Sequence, residues 1–492
     1  MGLACESWPA DSAERIFADG RELLGFARSA TEAIRDLRTW LCAPGADAPR
    51  TELAHLAALV DERRAAARVR LLVGLGARMG GTDSGESANS ARGAAFAALG
   101  LEHWTEDDGP ALNYQERAWT LIAHTESGPH TLERAWPYGF SPSVSGRFAL
   151  GTRPGDAPAL IQTSPPRGPS RGAPDTRIVL VDGRNTDPGD WPQISSQPAR
   201  EDNPFAIFGI PGADGALLRA ELEAGRKVEL EVAFETRIRT APVQSVFARI
   251  PARDGAAPGY LLFCAHGDSD AGGPGANDNG SGEAIVFEIA AALAKAQAQK
   301  ISAAPPRELR FAIWGKEIHS SQAHRDRALL EGAMPLLGVL NFDQSGFGAR
   351  GDRLYLEPDD EPHHTALLNA LLAVLNDHSG APGFPTKWAT VKSLGGTDSY
   401  VFSRSAAMRA KAVPALTLYA SAWGRAAKHP RSDGALGMSD AQADEVIVDH
   451  DPYYHSAGDR PELTTDLQPH FLGWNARVGL LGGLRWLAEL AD

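Results

Sequence analysis

Cysteine is scarce in this chain: three in 492 residues, at Cys5, Cys42 and Cys264. An odd, widely spaced set fits neither a disulfide framework nor a cysteine-ligated zinc module. Long apolar runs are also missing. None approaches the ~20 residues that a membrane-spanning helix needs, so no membrane span is expected. The first 17 residues, MGLACESWPADSAERIF, lack the apolar core of a secretory signal. The chain is therefore read as cytoplasmic by default, and as exported if its N-terminus is trimmed. Positive charge is in deficit, with 48 Lys and Arg against 62 Asp and Glu and a net charge of -14. That balance argues against nucleic acid and anionic membrane surfaces as partners. The hydrophobic fraction of 43% is ordinary for a globular protein. The length implies two or three domains as a prior and leaves the oligomeric state open.

What the chain does have is a set of short apolar runs that end in histidine or carboxylate. Tyr260 to Ala265 delivers His266, and Asp268 follows two positions on. The turn GPGANDNGSG then holds Asp278 just before the helical pattern SGEAIVFEIAAALAK. A second apolar run, Leu309 to Trp314, leads to Glu317. A third, Leu336 to Leu340, leads to Asp343, and DPYYHSAGD supplies His455 much later. In open parallel α/β sheets, ligands collect beyond the carboxyl ends of strands. Two histidines and three carboxylates placed there match the donor set of a divalent cation such as zinc.

The order HGD, GANDNGSG, strand-Glu, NFD and YHSAGD resembles the M28 family of co-catalytic zinc peptidases. The likeness covers roughly residues 260 to 460. It implies two zinc ions per chain. His266 and Asp343 would bind one ion, and His455 with a glutamate the other. Asp278 would bridge them, and the peptide after it would be cis. Asp268 is then expected to orient groups beside the metals, and Asp459 to support His455. Tyr454 would polarise the scissile carbonyl, or else be a buried phenol. Asp398, in SLGGTDSYVF, falls in a family segment near the substrate pocket, where an ordinary turn is the competing reading. Arg404 could meet a substrate carboxylate.

The chain departs from the family at one point. The family carries a Glu-Glu pair, one the general base and the other a ligand. Here the stretch reads Trp314-Gly315-Lys316-Glu317-Ile318-His319. If Glu317 is the ligand, Lys316 occupies the base position and would carry the proton with a depressed pKa. If Glu317 is the base, an aliphatic side chain occupies the ligand position. Spacing to Asp343 favours Glu317 as ligand. His319 could substitute as a ligand, but His319 and His324 read rather as solvent-facing loop and helix residues, and Cys264 as a small core residue on the face of His266.

The expected fold is α/β, a mostly parallel central sheet flanked by helices, with a small β-rich inserted domain. Residues 1–117 read as N-terminal helices and the first segment of the catalytic domain. Helical spacing covers Ala13 to Trp40 and Leu53 to Leu72, and a further helix is capped by Thr82 or Ser84 and stopped at Gly100. Residues 118–243 carry short β-like runs and one helix, Ala213 to Ala224. They resemble a protease-associated domain, with Thr163 to Pro174 as a mobile loop. Residues 244–492 alternate strands and helices, with helices at Gly282 to Gln299, Ala323 to Gly332, His363 to Asn376 and Phe471 to Ala491.

The resulting expectation is a dizinc exopeptidase that attacks a terminal peptide bond through a metal-activated water, preferably an aminopeptidase. Its substrate would be a peptide or small amide. The reduced Glu-Glu pair leaves other readings: a specialised amide hydrolase, a single-metal transferase on the same fold, or a non-catalytic relative.

Overall fold

The computed structural model describes residues 52–165, 175–182, 189–269, 272–302, 304–331, 334–358, 365–391, 393, 395–403, 413–422, 426–428, 445–446 and 449–490. The expected helix Ala13 to Trp40, Cys5, Cys42, Arg404 and most of the loop Thr163 to Pro174 lie outside them. Among the described residues, no helix is long and apolar enough to cross a membrane.

The sheet is mixed. At its centre run four parallel strands, in the order Glu308–Trp314, Tyr260–His266, Leu336–Phe342 and Ala415–Tyr419. Strand Leu354–Pro358 then joins Ala415–Tyr419 antiparallel, and Glu229–Ile250 joins Glu308–Trp314 antiparallel. The parallel centre arises where helices cross between strands, and it is this centre that carries the site. Strand Tyr260–His266 is buried throughout. Leu261, Phe263 and Ala265 enter the core beneath helices Gly282–Ala298 and His470–Glu489. Tyr260, Leu262 and Cys264 enter the core on the other face, with Trp314 and Phe402. A strand covered on both faces reads as a continuous apolar run, as this one does.

Two strands are unusually long. Glu102–Thr125 and Glu229–Ile250 pair antiparallel over nearly their whole length, from Glu102 opposite Arg249 to His124 opposite Glu229. One end of this ribbon joins the central sheet through Glu308–Trp314, and the other carries Val144–Gly151 of a second group of strands. There Val144–Gly151, Ala159–Gln162, Ile178–Val181 and Ala206–Gly209 pair parallel over their own core, which helix Gly212–Glu223 covers. The positions 117/118 and 243/244, where the sequence changes character, both fall inside the ribbon strands.

The helical span expected over Leu53 to Leu72 is two helices, Glu52–Leu59 and Glu62–Val73. Asp61 breaks it by accepting hydrogen bonds from Arg63 N and Arg64 N, as an N-cap does. Thr82 caps helix Asp83–Ala98 by accepting from Gly85 N, and Gly100 follows that helix with a φ of 72°. The helix expected from Ala323 begins earlier, at His319, and passes into one π turn over Arg327–Glu331.

Beneath the site lies a buried ion pair. Arg92 donates from Nε and Nη2 to Glu283 Oε2 at 3.1 and 2.6 Å, and from Nη2 to the carbonyl of Gly267 at 2.7 Å. A Cβ at Gly267 would stand 2.0 Å from that guanidinium nitrogen, so only glycine lets Arg92 reach the backbone just after His266. Removing one partner of a buried pair strands the other charge. Arg92→Met is expected to destabilise the protein by about 3–5 kcal/mol, read as a lowered urea midpoint.

Candidate metal centre

His266, Asp268, Glu317 and Asp343 all sit at or just past the carboxyl ends of the parallel strands. Asp278 reaches the same point from the irregular turn Ala276–Ser281 at the head of helix Gly282–Ala298. His266 Nε2 lies 3.2 Å from Asp278 Oδ1 and 3.5 Å from Asp343 Oδ1. The other oxygen of Asp278, Oδ2, lies 3.4 Å from His455 Nε2. Asp278 therefore turns one oxygen to each histidine. The peptide between Asp278 and Asn279 is cis.

The residues fit a cation. Ligand atoms of His266, Asp278 and Asp343 lie within 4.8 Å of one another, and all three side chains are buried. His266 Nε2 and Asp343 Oδ1 are covered by protein and have no hydrogen-bond partner. The other ring nitrogen, Nδ1, is 3.0 Å from the carbonyl of Asp268 and 3.3 Å from its Oδ1. With the proton held on that side, the lone pair of Nε2 faces the two carboxylates, as a metal-binding imidazole requires. Buried carboxylates without a counter-charge are costly, and a divalent cation removes that cost.

Electrostatics agree. Burial works against a charge on His266, but Glu317, Asp268, Asp278 and Asp343 outweigh it and hold its pKa well above the usual value. Burial pushes the Glu317 carboxyl well above the carboxylate range; His266 opposes this, and Asp343, Asp398 and Asp278 add to it. Asp398 is pushed up to about 6, chiefly by burial. A cation must therefore displace protons to bind. Since the pKa of His266 is raised and only its neutral form ligates, zinc affinity is expected to rise with pH. Calorimetric titration in buffers of different ionisation heat should register proton release, and a buffer-independent heat would contradict it.

Each residue of the centre is held by others. Asp268 Oδ1 accepts from Glu317 N at 3.1 Å, tying two strand ends together. Asp343 Oδ2 accepts from Thr397 Oγ1 at 2.8 Å, and Thr397 in turn accepts from Asn341 Nδ2 at 2.9 Å. Asp398 Oδ1 accepts from Ile318 N at 2.9 Å, which fixes a residue of left-handed φ directly after Glu317. Thr397 and Asp398 thus brace the centre from behind. The ring of Tyr454 stacks on His455 at 3.6 Å between centroids.

Three expectations meet a different arrangement. Asp459 accepts from Asn277 N at 2.7 Å and Asp278 N at 2.9 Å, so its carboxylate braces the aspartate turn rather than the His455 ring. Lys316 donates from Nζ to Leu112 O at 2.9 Å and Asn113 Oδ1 at 3.1 Å, so its ammonium is bound to the ribbon. Burial lowers its pKa, against the opposing charge of Asp268. His324 is buried between Tyr260 Oη and Glu106 Oε2, 3.1 Å from each, in a structural network. His319 opens the following helix.

Sequence reasoning missed several supports. Asp451 Oδ2 accepts from Asn277 Nδ2 at 2.7 Å, and Asn277 Oδ1 accepts from Gly346 N at 2.9 Å. Arg78 is fully buried and donates to the carbonyls of Gly267, Pro274 and Gly275. It closes the loop between His266 and Asp278. An arginine inside the glycine-rich stretch GLGARMGG was the available signal. Asp459→Asn, which places an amide where two backbone N–H groups need an acceptor, is expected to weaken zinc binding about 10–100-fold, measured by competition with a chelating dye.

Comparison with known proteins places this geometry. A profile of peptidase family M28 matches residues 245–471. Leupeptin-inactivating enzyme 1 of Streptomyces exfoliatus is 36% identical over 105 residues, which are 21% of this chain and 22% of that protein. An aminopeptidase of Pseudomonas aeruginosa is 37% identical over 98 residues, 19% of this chain and 17% of that protein. The chain thus matches about a fifth of the length of these curated relatives. Among solved structures, an M28 peptidase precursor from Shewanella amazonensis aligns over 94% of this chain and 96% of its own, with a TM-score of 0.57 at 15% identity. A zinc aminopeptidase from Bacillus subtilis aligns over 86% and 94%, with a TM-score of 0.54 at 14% identity. At such identities these structures speak for the fold. The ordered motifs, the mixed sheet with its site at the strand ends, and the family match give one conclusion: residues 245–471 of this chain form a peptidase family M28 segment.

Proposed function

We propose that this protein is a zinc-dependent exopeptidase, an aminopeptidase, that hydrolyses a terminal peptide bond at a pair of cations. The observation that carries the reading is Asp278, whose two oxygens face His266 and His455 separately, at 3.2 and 3.4 Å. One carboxylate shared in this way suits two ions better than one, and so favours the dizinc reading over a single-metal transferase. His266 and Asp343 would hold the first ion, His455 the second, and Asp278 both. The match to peptidase family M28 supports a peptidase, and the Pseudomonas aeruginosa aminopeptidase and the Bacillus subtilis zinc aminopeptidase of like fold support zinc and the N-terminal preference.

When bound, the ions supply Lewis acidity and acidify the attacking water. The remaining work falls to the chain. Asp268 keeps the Nδ1 proton of His266 in place and so keeps Nε2 open. Asp459 and Asp451 fix the turn that carries Asp278. With Lys316 committed to the ribbon, we assign proton transfer from the water to the leaving amine to Glu317, the one carboxylate of the reduced pair. Its raised pKa suits a group that must both take and return a proton. Tyr454, stacked on His455, is assigned to the scissile carbonyl.

The test compares an amino-acid anilide with its N-acetylated counterpart, each with and without chelator. The reading expects cleavage of the free-amine substrate only, abolished by chelator and restored by zinc. Cleavage of the acetylated anilide at equal rate would reject the aminopeptidase assignment. Cleavage that persists after exhaustive chelation would reject the metal mechanism.

A further inference from the structure

The loop that presents His455 is held from two directions. Its feet belong to the catalytic sheet. Asp451 and Asp459 flank it, and both bind the Asn277–Asp278 turn. Ala276 N also donates to the carbonyl of Asp459 at 3.1 Å. The backbone of its apex pairs with residues 191–194, which belong to the β-rich unit at the far end of the ribbon. Ile194 N donates to the carbonyl of His455 itself at 2.7 Å, and Ala457 N donates to Pro192 O at 3.0 Å. Gln193 and Ser456 form an antiparallel bridge between them. Trp191 packs on Gly458, where a Cβ would stand 2.8 Å from the indole, and Arg460 lies over the same ring.

The segment is anchored on both sides in its own unit. Asp190 accepts from Gly212 N at 2.7 Å and Ala213 N at 2.9 Å, which ties the segment to the head of helix Gly212–Glu223. On the other side Gly139 N donates to Ser195 O, and Gln197 N donates to Gly139 O, both at 2.9 Å. Ile194 itself is buried in the core of that unit with Val179 and Phe205. Residues 191–194 therefore form a strap stretched from the β-rich unit across the back of His455.

What the strap holds is an unusual conformation. His455 has a φ of 50°, in the left-handed region where a residue with a Cβ sits at a cost. Such a conformation persists only where surrounding contacts over-determine it. The bond from Ile194 N falls on the carbonyl of that very residue. It fixes the peptide plane and so aims the imidazole at Asp278.

We propose that residues 191–194 are a positioning strap for His455, through which the β-rich unit sets how tightly the second cation is held. Ile194 and Trp191 are positioning residues and touch no substrate. The inference rests on the reading of His455 as a cation ligand.

Ile194→Pro deletes the N–H that binds His455, Ile194→Val keeps it, and Trp191→Ala removes the packing against Gly458. Full-length proteins would be titrated with zinc by calorimetry, with zinc content measured after gel filtration. The strap predicts that Ile194→Pro and Trp191→Ala weaken the second binding step about 10–100-fold, as loss of an outer support does, and leave the first step unchanged. Ile194→Val should behave as the parent. Binding is reciprocal, so adding the second equivalent of zinc should also slow hydrogen exchange at residues 191–197 in the parent. Two unchanged steps in both Ile194→Pro and Trp191→Ala would overturn the strap. If Ile194→Pro fails to fold, Trp191→Ala alone decides, by the same criterion. A parent protein that binds fewer than two zinc ions removes the site reading itself, and that failure appears without any mutation.

Discussion

Asp278→Asn is expected to abolish turnover, by roughly 10⁴-fold or more, and to leave neither cation bound at micromolar zinc. The size follows from position. Asp278 faces both histidines, so one substitution takes an anionic oxygen from each proposed ion. It removes about one full charge from a centre whose metals would supply several kcal/mol of the barrier reduction. The turn itself should survive. Asp459 and Asp451 hold it through Asn277 and the backbone N–H of residue 278, none of which the substitution alters. Anilide hydrolysis, zinc content and a urea melt on the same preparation separate the outcomes. Lost zinc and lost turnover with the fold retained is the expected result. A variant that keeps two zinc ions and more than a tenth of the parent activity would show that Asp278 bridges nothing.

Glu317→Gln has the second-largest expected effect and divides two roles. The amide is close in shape and cannot take a proton at neutral pH. As the proton shuttle, Glu317 accounts for about 10²–10⁴-fold in rate. Glu317→Gln should then lower kcat by that factor, keep both zinc ions and leave KM nearly unchanged. As a ligand, it should instead cost the second zinc ion, with activity partly recovered at high zinc. The reading advanced above expects the first result. Lys316→Met is the paired control. The Lys316 ammonium binds Leu112 O and Asn113 Oδ1 on the ribbon, so its loss should leave the acidic limb of the pH–rate profile in place.

The site was more legible in sequence than its supports, for a physical reason. His266 and Asp343 follow apolar runs of strand length, and a run with a polar residue at its carboxyl end already places that residue at the sheet edge. Asp278 stands before a helix whose every turn is apolar, which fixes it at a helix head. The supports lack such local marks. Asp459 was expected to serve the histidine four residues before it, whereas it binds the turn at Asn277, 182 positions away. Lys316 looked like a catalytic group because it stands beside Glu317, yet its partners lie 203 and 204 positions away. Arg78, Asp451 and the strap at 191–194 acquire meaning only from partners distant in the chain, which spacing cannot show. In the fold, the parallel centre was readable from the alternation of strands and helices. The antiparallel flanks were not, because the ribbon strands Glu102–Thr125 and Glu229–Ile250 carry no tight turn between them. The first half of Glu102–Thr125 read as part of the N-terminal segment, and the rest of the ribbon as short β-like runs, because its polar, half-exposed middle shows no sustained apolar alternation.

The most direct test is a crystal structure of the zinc-loaded protein, with anomalous scattering at the zinc edge. Two peaks are expected, one contacting His266, Asp278 and Asp343 and the other contacting Asp278 and His455. A single peak away from Asp278, or two whose ligands omit it, would contradict the account.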